Sequence, residues 1–140
     1  MIPAAELAAR QRDMPTTRSN AIGLIEGGAE GDAPERGHEP FRVRFHHRLG
    51  TERPRIHAHL ADLWIVQAGS ATLVTGGTLV GATQSPGDAP GELVGTSIEG
   101  GVSRTVASGD TIYVPAGVAH RFVDADLKYL AIHFPTAQPH

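Results

Sequence analysis

The stretch Gly109-Asp110-Thr111-Ile112-Tyr113-Val114-Pro115-Ala116-Gly117-Val118-Ala119-His120-Arg121-Phe122-Val123-Asp124 decides the fold. Gly109-Asp110 reads as a tight turn. Thr111–Val114 is a short run of β-branched and aromatic residues, the composition of a strand. Pro115-Ala116-Gly117 turns the chain again, and His120–Val123 reads as a second short strand opened by a histidine. Two short strands, punctuated by Gly and Pro and joined without a helix, are the grammar of an antiparallel barrel or sandwich.

The same grammar extends outward. Phe41–Arg48 alternates Phe41, Val43, Phe45 and His47 against Arg42, Arg44, His46 and Arg48, which is period 2. Arg55–His59 is short and extended. Leu63–Gln67 is a continuous apolar run, and Ala68-Gly69-Ser70 is expected to turn it back into Ala71–Thr75 as a hairpin. Thr78–Val80, Val102–Val106 and Lys128–Phe134 are further strands, and Ala82–Glu92 reads as a loop. No helical pattern follows residue 41. Before it, Ala4–Arg12 is rich in good helix formers and is closed by Pro15. Ala21–Ile25 reads as an edge strand and Glu26–Pro40 as a loop of Gly, Pro and acid. The division is an arm and loop over 1–40, a barrel over 41–135 and a tail over 136–140.

Composition narrows the function classes. The 140 residues make about one domain. Hydrophobic residues are 40% and charged residues 19%, an ordinary globular mix. No run approaches the ~20 apolar residues of a membrane helix, and no secretory signal opens the chain, so no membrane partner is expected and the expected location is cytoplasmic. The absence of cysteine excludes disulfides, thiolate metal ligands and a cysteine nucleophile. A net charge of −3 lacks the basic footprint of a nucleic-acid binder. The 17 Gly and 10 Pro mean frequent turns, and 8 His are many for a chain with 2 Tyr and 1 Trp. Neither a nucleophile elbow of the G-x-S-x-G type nor a phosphate-binding loop is present.

The histidines carry the chemistry. His57 and His59 are spaced i, i+2, so a strand puts both on one face, about 7 Å apart. Asp62 follows closely, and a barrel can bring His120 beside them. Two or three imidazoles with a carboxylate suit Fe, Mn, Ni, Co or Zn. The competing reading is surface histidines in loops. Trp64 and Val66 share the parity of Asp62 and are candidates for the cavity wall, as are Tyr113 and Phe122, with plain core as the alternative. His47 shares the parity of Phe41, Val43 and Phe45 and is the inward candidate of its strand, while His133 is a further candidate on the last strand beside Tyr129 and Ala131. Arg42, Arg44 and Arg48 read as a wet outer face, Glu92 as a solvated loop carboxylate, and His38 and His140 as solvent-exposed.

Gly109, Pro115, Gly117 and His120 fall at the spacing of the second cupin motif, with Asp124 where the motif has Asn. The first motif is looser. Asp62 and Gly69 keep its carboxylate-to-glycine spacing, with Asp for Glu, but two residues separate His59 from Asp62 and six separate Gly50 from His57. The His pair is therefore displaced by one position, which favours His57 over His59 as a ligand, or leaves Asp62 to orient a histidine. Residues 41–135 resemble the small bacterial single-domain cupins. The resemblance implies a double-stranded β-helix, a jelly-roll barrel, with a divalent transition metal held inside by His57, His59, Asp62 and His120, a small-molecule substrate or ligand, and a homodimer. It leaves two function classes: an oxygenase, isomerase or cyclase working through the metal, with the apolar side chains of Trp64 and Val66 favouring an aromatic or polyketide-like substrate, or a non-catalytic ligand-binding cupin with a degraded metal site. The metal-dependent enzyme is the expectation, and the displaced first motif with the departures at Asp62 and Asp124 supports the second class as its alternative.

Overall fold

The structure is a computed structural model, described here for residues 2–25 and 41–136. The loop expected over Glu26–Pro40, and His38 and His140, lie outside the described residues. The elements are helix α1 (Ala4–Arg12) and strands β1 (Asn20–Ile25), β2 (Arg42–Gly50), β3 (Arg55–His57), β4 (Leu60–Thr75), β5 (Thr78–Val80), β6 (Glu92–Val94), β7 (Ser97–Glu99), β8 (Val102–Ala107), β9 (Thr111–Val114) and β10 (His120–Pro135). All pairings are antiparallel. One path runs β1-β2-β10-β3-β6, β4 pairs β10, β8 and β9, and β5 pairs β7 in a small second sheet. This is the expected all-β barrel with a short N-terminal helix and strand leading into it. Among the described residues no helix is long and apolar enough to cross a membrane.

Two expected hairpin or strand breaks are instead single long strands. β4 runs straight through Ala68-Gly69-Ser70, and β10 joins His120–Val123 to Lys128–Phe134. Gly69 allows the first: at φ +82°, a Cβ there would sit 1.9 Å from the Asp126 carbonyl oxygen, so only glycine lets the two strands cross this closely. The pairing also slips between Lys128 and Tyr129, whose partners are Ala68 and Val66. Gln67 is the extra residue, a β-bulge. Buried positions accordingly change parity along β4, from Asp62, Trp64 and Val66 to Ala71 and Leu73.

β10 does the same at Asp124, which has φ 49°. Its buried residues run His120, Phe122, then Ala125, Leu127, Tyr129, Ala131. In an unbroken strand His120 and His133 are an odd number of residues apart and face opposite sides. The bulge switches the parity and turns both inward. Asp124 is held by Thr51, whose hydroxyl accepts its N–H at 3.1 Å and lies 3.4 Å from its carboxylate. Asn and Asp are the side chains that best tolerate this left-handed backbone, so Asp replaces the motif's Asn without changing the turn.

The core lies between β4, β8, β9 and β10: Trp64, Leu73, Val106, Val114, Phe122 and Leu127 are all buried in one cluster. β2 reverses an expectation. Its Phe45 and His47 are buried, but on the face away from the cavity, where the His47 ring lies 3.4 Å from the Pro15 carbonyl and 3.0 Å from Asp126. Met14, next to Pro15, is buried too. The N-terminal segment meets this outer face at His47, and the strand's other face, with Arg42, Arg44, His46 and Arg48, lines the barrel cavity.

Candidate metal centre

Three loops and strands converge on the cavity. His57 ends β3, Asp62 lies near the start of β4, and His120 opens β10. The turn before His120 ties two of them together, because the Gly117 N–H donates to the His57 carbonyl at 2.8 Å. Gly117 has φ +79°, a conformation that a side chain resists, and it sets both the turn and the height of His120 against β3.

One ligand atom from each of His57, Asp62 and His120 lies within 4.8 Å of the other two. The Asp62 Oδ2 atom is 3.7 Å from His57 Nε2 and 3.8 Å from His120 Nε2. The opposite ring nitrogens are already engaged. His120 Nδ1 lies 3.1 Å from the Val118 carbonyl, and His57 Nδ1 meets the Glu92 carboxylate. Both partners only accept, so both Nδ1 atoms carry a proton, and in the neutral rings both Nε2 lone pairs face Asp62. Two converging imidazole lone pairs, a carboxylate oxygen and partners fixing the tautomers make a donor set that fits a divalent transition metal. His133 adds a contact at 2.6 Å from its Nδ1 to the other Asp62 oxygen.

Electrostatics follow from this packing. Burial alone would raise the Asp62 carboxyl, but the bond to His133 and the charges of His133, His57 and His120 outweigh it, and its pKa falls below the ordinary value. Burial likewise pulls His57 down, yet the Glu92 hydrogen bond and the Asp62 and Glu92 charges raise it. His120 is lowered, by burial first and then by His57. His46 is pushed down to about 3 by burial and by Arg48, His133 and Arg44, so it is a neutral imidazole at pH 7. Tyr129, deeply buried, is pushed up to about 12 and keeps its phenolic proton.

The cavity measures about 170 Å³, below the roughly 300–1,000 Å³ of common ligand pockets. Its wall carries Trp64 but otherwise arginines, histidines, Glu52, Asp62 and Tyr129. A small polar cavity reverses the expectation of an aromatic or polyketide-like substrate. The expected wall residues divide. Trp64 lines the cavity, Val66 and Phe122 pack in the hydrophobic cluster, and Tyr113 faces outward, 56% exposed and stacked on Phe134. Its surface groove of about 530 Å³ contains no histidine. His59 does not line the cavity; its ring lies beside Gly91. His133 lines it and His47 does not, the place of the latter being taken by His46, which stacks on Tyr129 with ring centroids 5.0 Å apart. Glu92, read as a loop carboxylate, opens β6 and holds His57. No spacing in the sequence marks it, since its partner is 35 residues away. Glu52 likewise has no mark in the sequence: it pairs with Arg48 at 3.2 Å and accepts the Phe122 N–H at 3.0 Å.

No protein-family model matches the sequence, and no curated protein does. Solved structures do match. The DMSP lyase DddQ from Ruegeria pomeroyi DSS-3 is similar at TM-score 0.55 with 15% identity, over 88% of this chain and 50% of that one. This chain thus spans half the length of that lyase. A Cupin 2 conserved barrel domain protein from Salinispora arenicola CNS-205 is similar at TM-score 0.51 with 20% identity, over 84% of this chain and 76% of that one. The plu4264 protein from Photorhabdus luminescens is similar at TM-score 0.52 with 15% identity, over 86% and 78%. At such identities the likeness speaks for the fold alone. Paired with the Gly109–Asp124 stretch and the antiparallel barrel it builds, it establishes that this chain has a cupin-like fold.

Proposed function

We propose that the protein is a metal-dependent enzyme of the cupin type, acting on a small organic molecule in the barrel. His57, Asp62 and His120 would hold a divalent transition metal, Fe, Zn, Ni, Mn or Co. The observation that carries this reading is the convergence of their three ligand atoms within 4.8 Å, with both Nδ1 atoms turned away onto fixed acceptors. The bound metal would supply Lewis-acid chemistry or activate water or O₂. Glu92 fixes the ring of His57, and Val118 that of His120. His133 orients Asp62 through its second oxygen. Tyr129 keeps a phenolic proton inside the cavity, and the neutral His46 stacks on it with its Nδ1 accepting from Arg48. A homodimer belongs to the proposal, since β8 pairs only β4 among the described residues and leaves a strand edge that a second copy can cover.

The test is elemental analysis of protein purified without chelator or a His tag. Wild type is expected to carry about one equivalent of a transition metal, and His120→Ala to lose it. Glu92→Gln, which keeps the fold but weakens the hold on His57, is expected to lower metal affinity about 10- to 100-fold in a chelator competition. Wild-type protein that stays metal-free after reconstitution would overturn the enzyme reading and leave a ligand-binding barrel.

A further inference from the structure

Arg48 engages two rings of the cavity wall and fills the acceptor on each. Its guanidinium lies 3.4 Å from His46 Nδ1 and also hydrogen-bonds the Tyr129 phenolic oxygen. A guanidinium only donates, so both of these atoms accept. In a neutral imidazole whose Nδ1 accepts, the proton sits on Nε2. Burial and then the Arg48 charge keep that ring neutral, its pKa pushed down to about 3. His46 Nε2 is buried and has no hydrogen-bond partner among the described residues. The Tyr129 oxygen already accepts, so its O–H proton is left to donate. The two rings are parallel to within 4°, with centroids 5.0 Å apart, and both line the cavity that holds His57, Asp62 and His120. Arg48 itself is answered by Glu52 at 3.2 Å, so what these rings offer the cavity is uncharged.

We infer that His46 Nε2–H and the Tyr129 hydroxyl are the substrate-binding donors of this cavity, and that the substrate presents to them an uncharged carbonyl oxygen. The inference rests on the proposed reading of the cavity as the substrate site and names the substrate class for it. The two donors are distinct from the three side chains proposed to hold the metal. A buried N–H without a partner costs stability that an acceptor on the guest recovers. A carbonyl oxygen has two lone pairs and no hydrogen, so it can accept from both donors, whereas a hydroxyl brings a further donor into the wall. Donors fixed in place hold such an oxygen more tightly as negative charge builds on it, so the pair polarises the carbonyl without giving up a proton. Stacking fixes the rings and Arg48 fixes their polarity, so little side-chain freedom is lost on binding. The cavity volume of about 170 Å³ keeps the guest to a few heavy atoms.

The test uses the full chain, as purified and after chelator treatment, with cyclopentanone, cyclopentanol and cyclopentanecarboxylate as probes. Trp64, the only tryptophan of the chain, lines the cavity and reports its occupancy by fluorescence. Saturable binding of the ketone is expected in both preparations, about threefold or more tighter than that of the alcohol. Tyr129→Phe and His46→Phe keep the stacked rings, and each is expected to weaken ketone binding roughly three- to tenfold. Infrared spectra of isotope-labelled ketone should place the bound carbonyl stretch at lower frequency in the wild type than in either variant. Nitrogen NMR of the wild type needs no variant to fold, and should find the His46 proton on Nε2 at pH 7. A proton on Nδ1, no saturable ketone binding, alcohol bound as tightly as ketone, or carboxylate bound more tightly than ketone would each overturn the inference. So would a carbonyl stretch that both variants leave unchanged. Ketone binding that the chelator abolishes would overturn it too, because the metal and not the donor pair would then hold the oxygen. Ketone binding to a wild type that never takes up metal would show the donor pair standing where the metal reading fails.

Discussion

His46 is a half-buried imidazole whose ring contacts are Tyr129, His133 and the Arg48 guanidinium, none of them a carboxylate. Its pKa of about 3 in the folded protein lies below the ordinary 6.5. Between these values the unfolded chain binds a proton that the folded chain refuses, so stability is complete above the unfolded pKa and falls as pH drops toward 3. Going from pH 7 to pH 5, this one residue should cost about 2 kcal/mol. His57 has the opposite sign: its raised pKa favours the folded state at lower pH, and its contribution fades as pH rises through the folded value. The two are separated by substitution. Urea unfolding of wild type and His46→Gln at pH 7 and pH 5 should show the variant losing about 2 kcal/mol less over that interval. Equal losses in the two proteins would mean that His46 is protonated in the folded state.

At the scale of the strand, what matters is the parity of β4 and β10. The bulge at Asp124 is what lets His120 and His133 face one cavity, and its backbone at φ 49° sets the price a side chain must meet. Asp124→Asn and Asp124→Gly should unfold within about 0.5 kcal/mol of wild type in urea, whereas Asp124→Val should be about 1 to 2 kcal/mol less stable. If Val proves as good as Asn, the left-handed turn is not what holds the bulge. The same reasoning explains which parts of the fold are legible in the sequence. β9 and α1 have the expected bounds, because turn residues flank the first and Pro15 follows the second. The breaks expected in β4 and β10 fall on Gly69 and on Asp124-Ala125. Such residues bulge a strand as readily as they turn it, and only the pairing partner decides between the two. Alternation in β2 correctly groups Arg42, Arg44, His46 and Arg48 on one face. It carries no information about which face is inside once the other is covered by a distant segment. Of the site, Asp62, His57 and His120 were legible through motif spacing, while Glu92, Glu52 and the arginine row depended on contacts that cross between strands.

The whole molecule is therefore built around β2 as a wall with two functions. Its outer face carries the buried Phe45 and His47, and the segment through Met14 and Pro15 reaches it at His47. Its inner face carries the cations of the cavity. α1 has no buried residues of its own, and ties to the rest through Arg10, which donates to the Gly23 carbonyl at 3.3 Å, and Gln11, which donates to Gln67 at 3.2 Å. The segment following it thus contributes more to closure than the helix does. Removing residues 1–18 would discard the buried Met14 and uncover the His47 ring beside Pro15. With about 1.5 to 3 kcal/mol for one fully buried side chain of this kind, the truncated chain should lose about 2 to 3 kcal/mol in urea unfolding, out of a total of about 5 to 15 kcal/mol for a domain. The His57, Asp62 and His120 cluster proposed to hold the metal lies on β3, β4 and β10, away from the outer face of β2, so truncated protein that remains folded by circular dichroism should still bind one equivalent of metal. Truncation that removes metal binding from folded protein would show that the outer cover and the cavity are coupled through β2, and that the wall does not separate them.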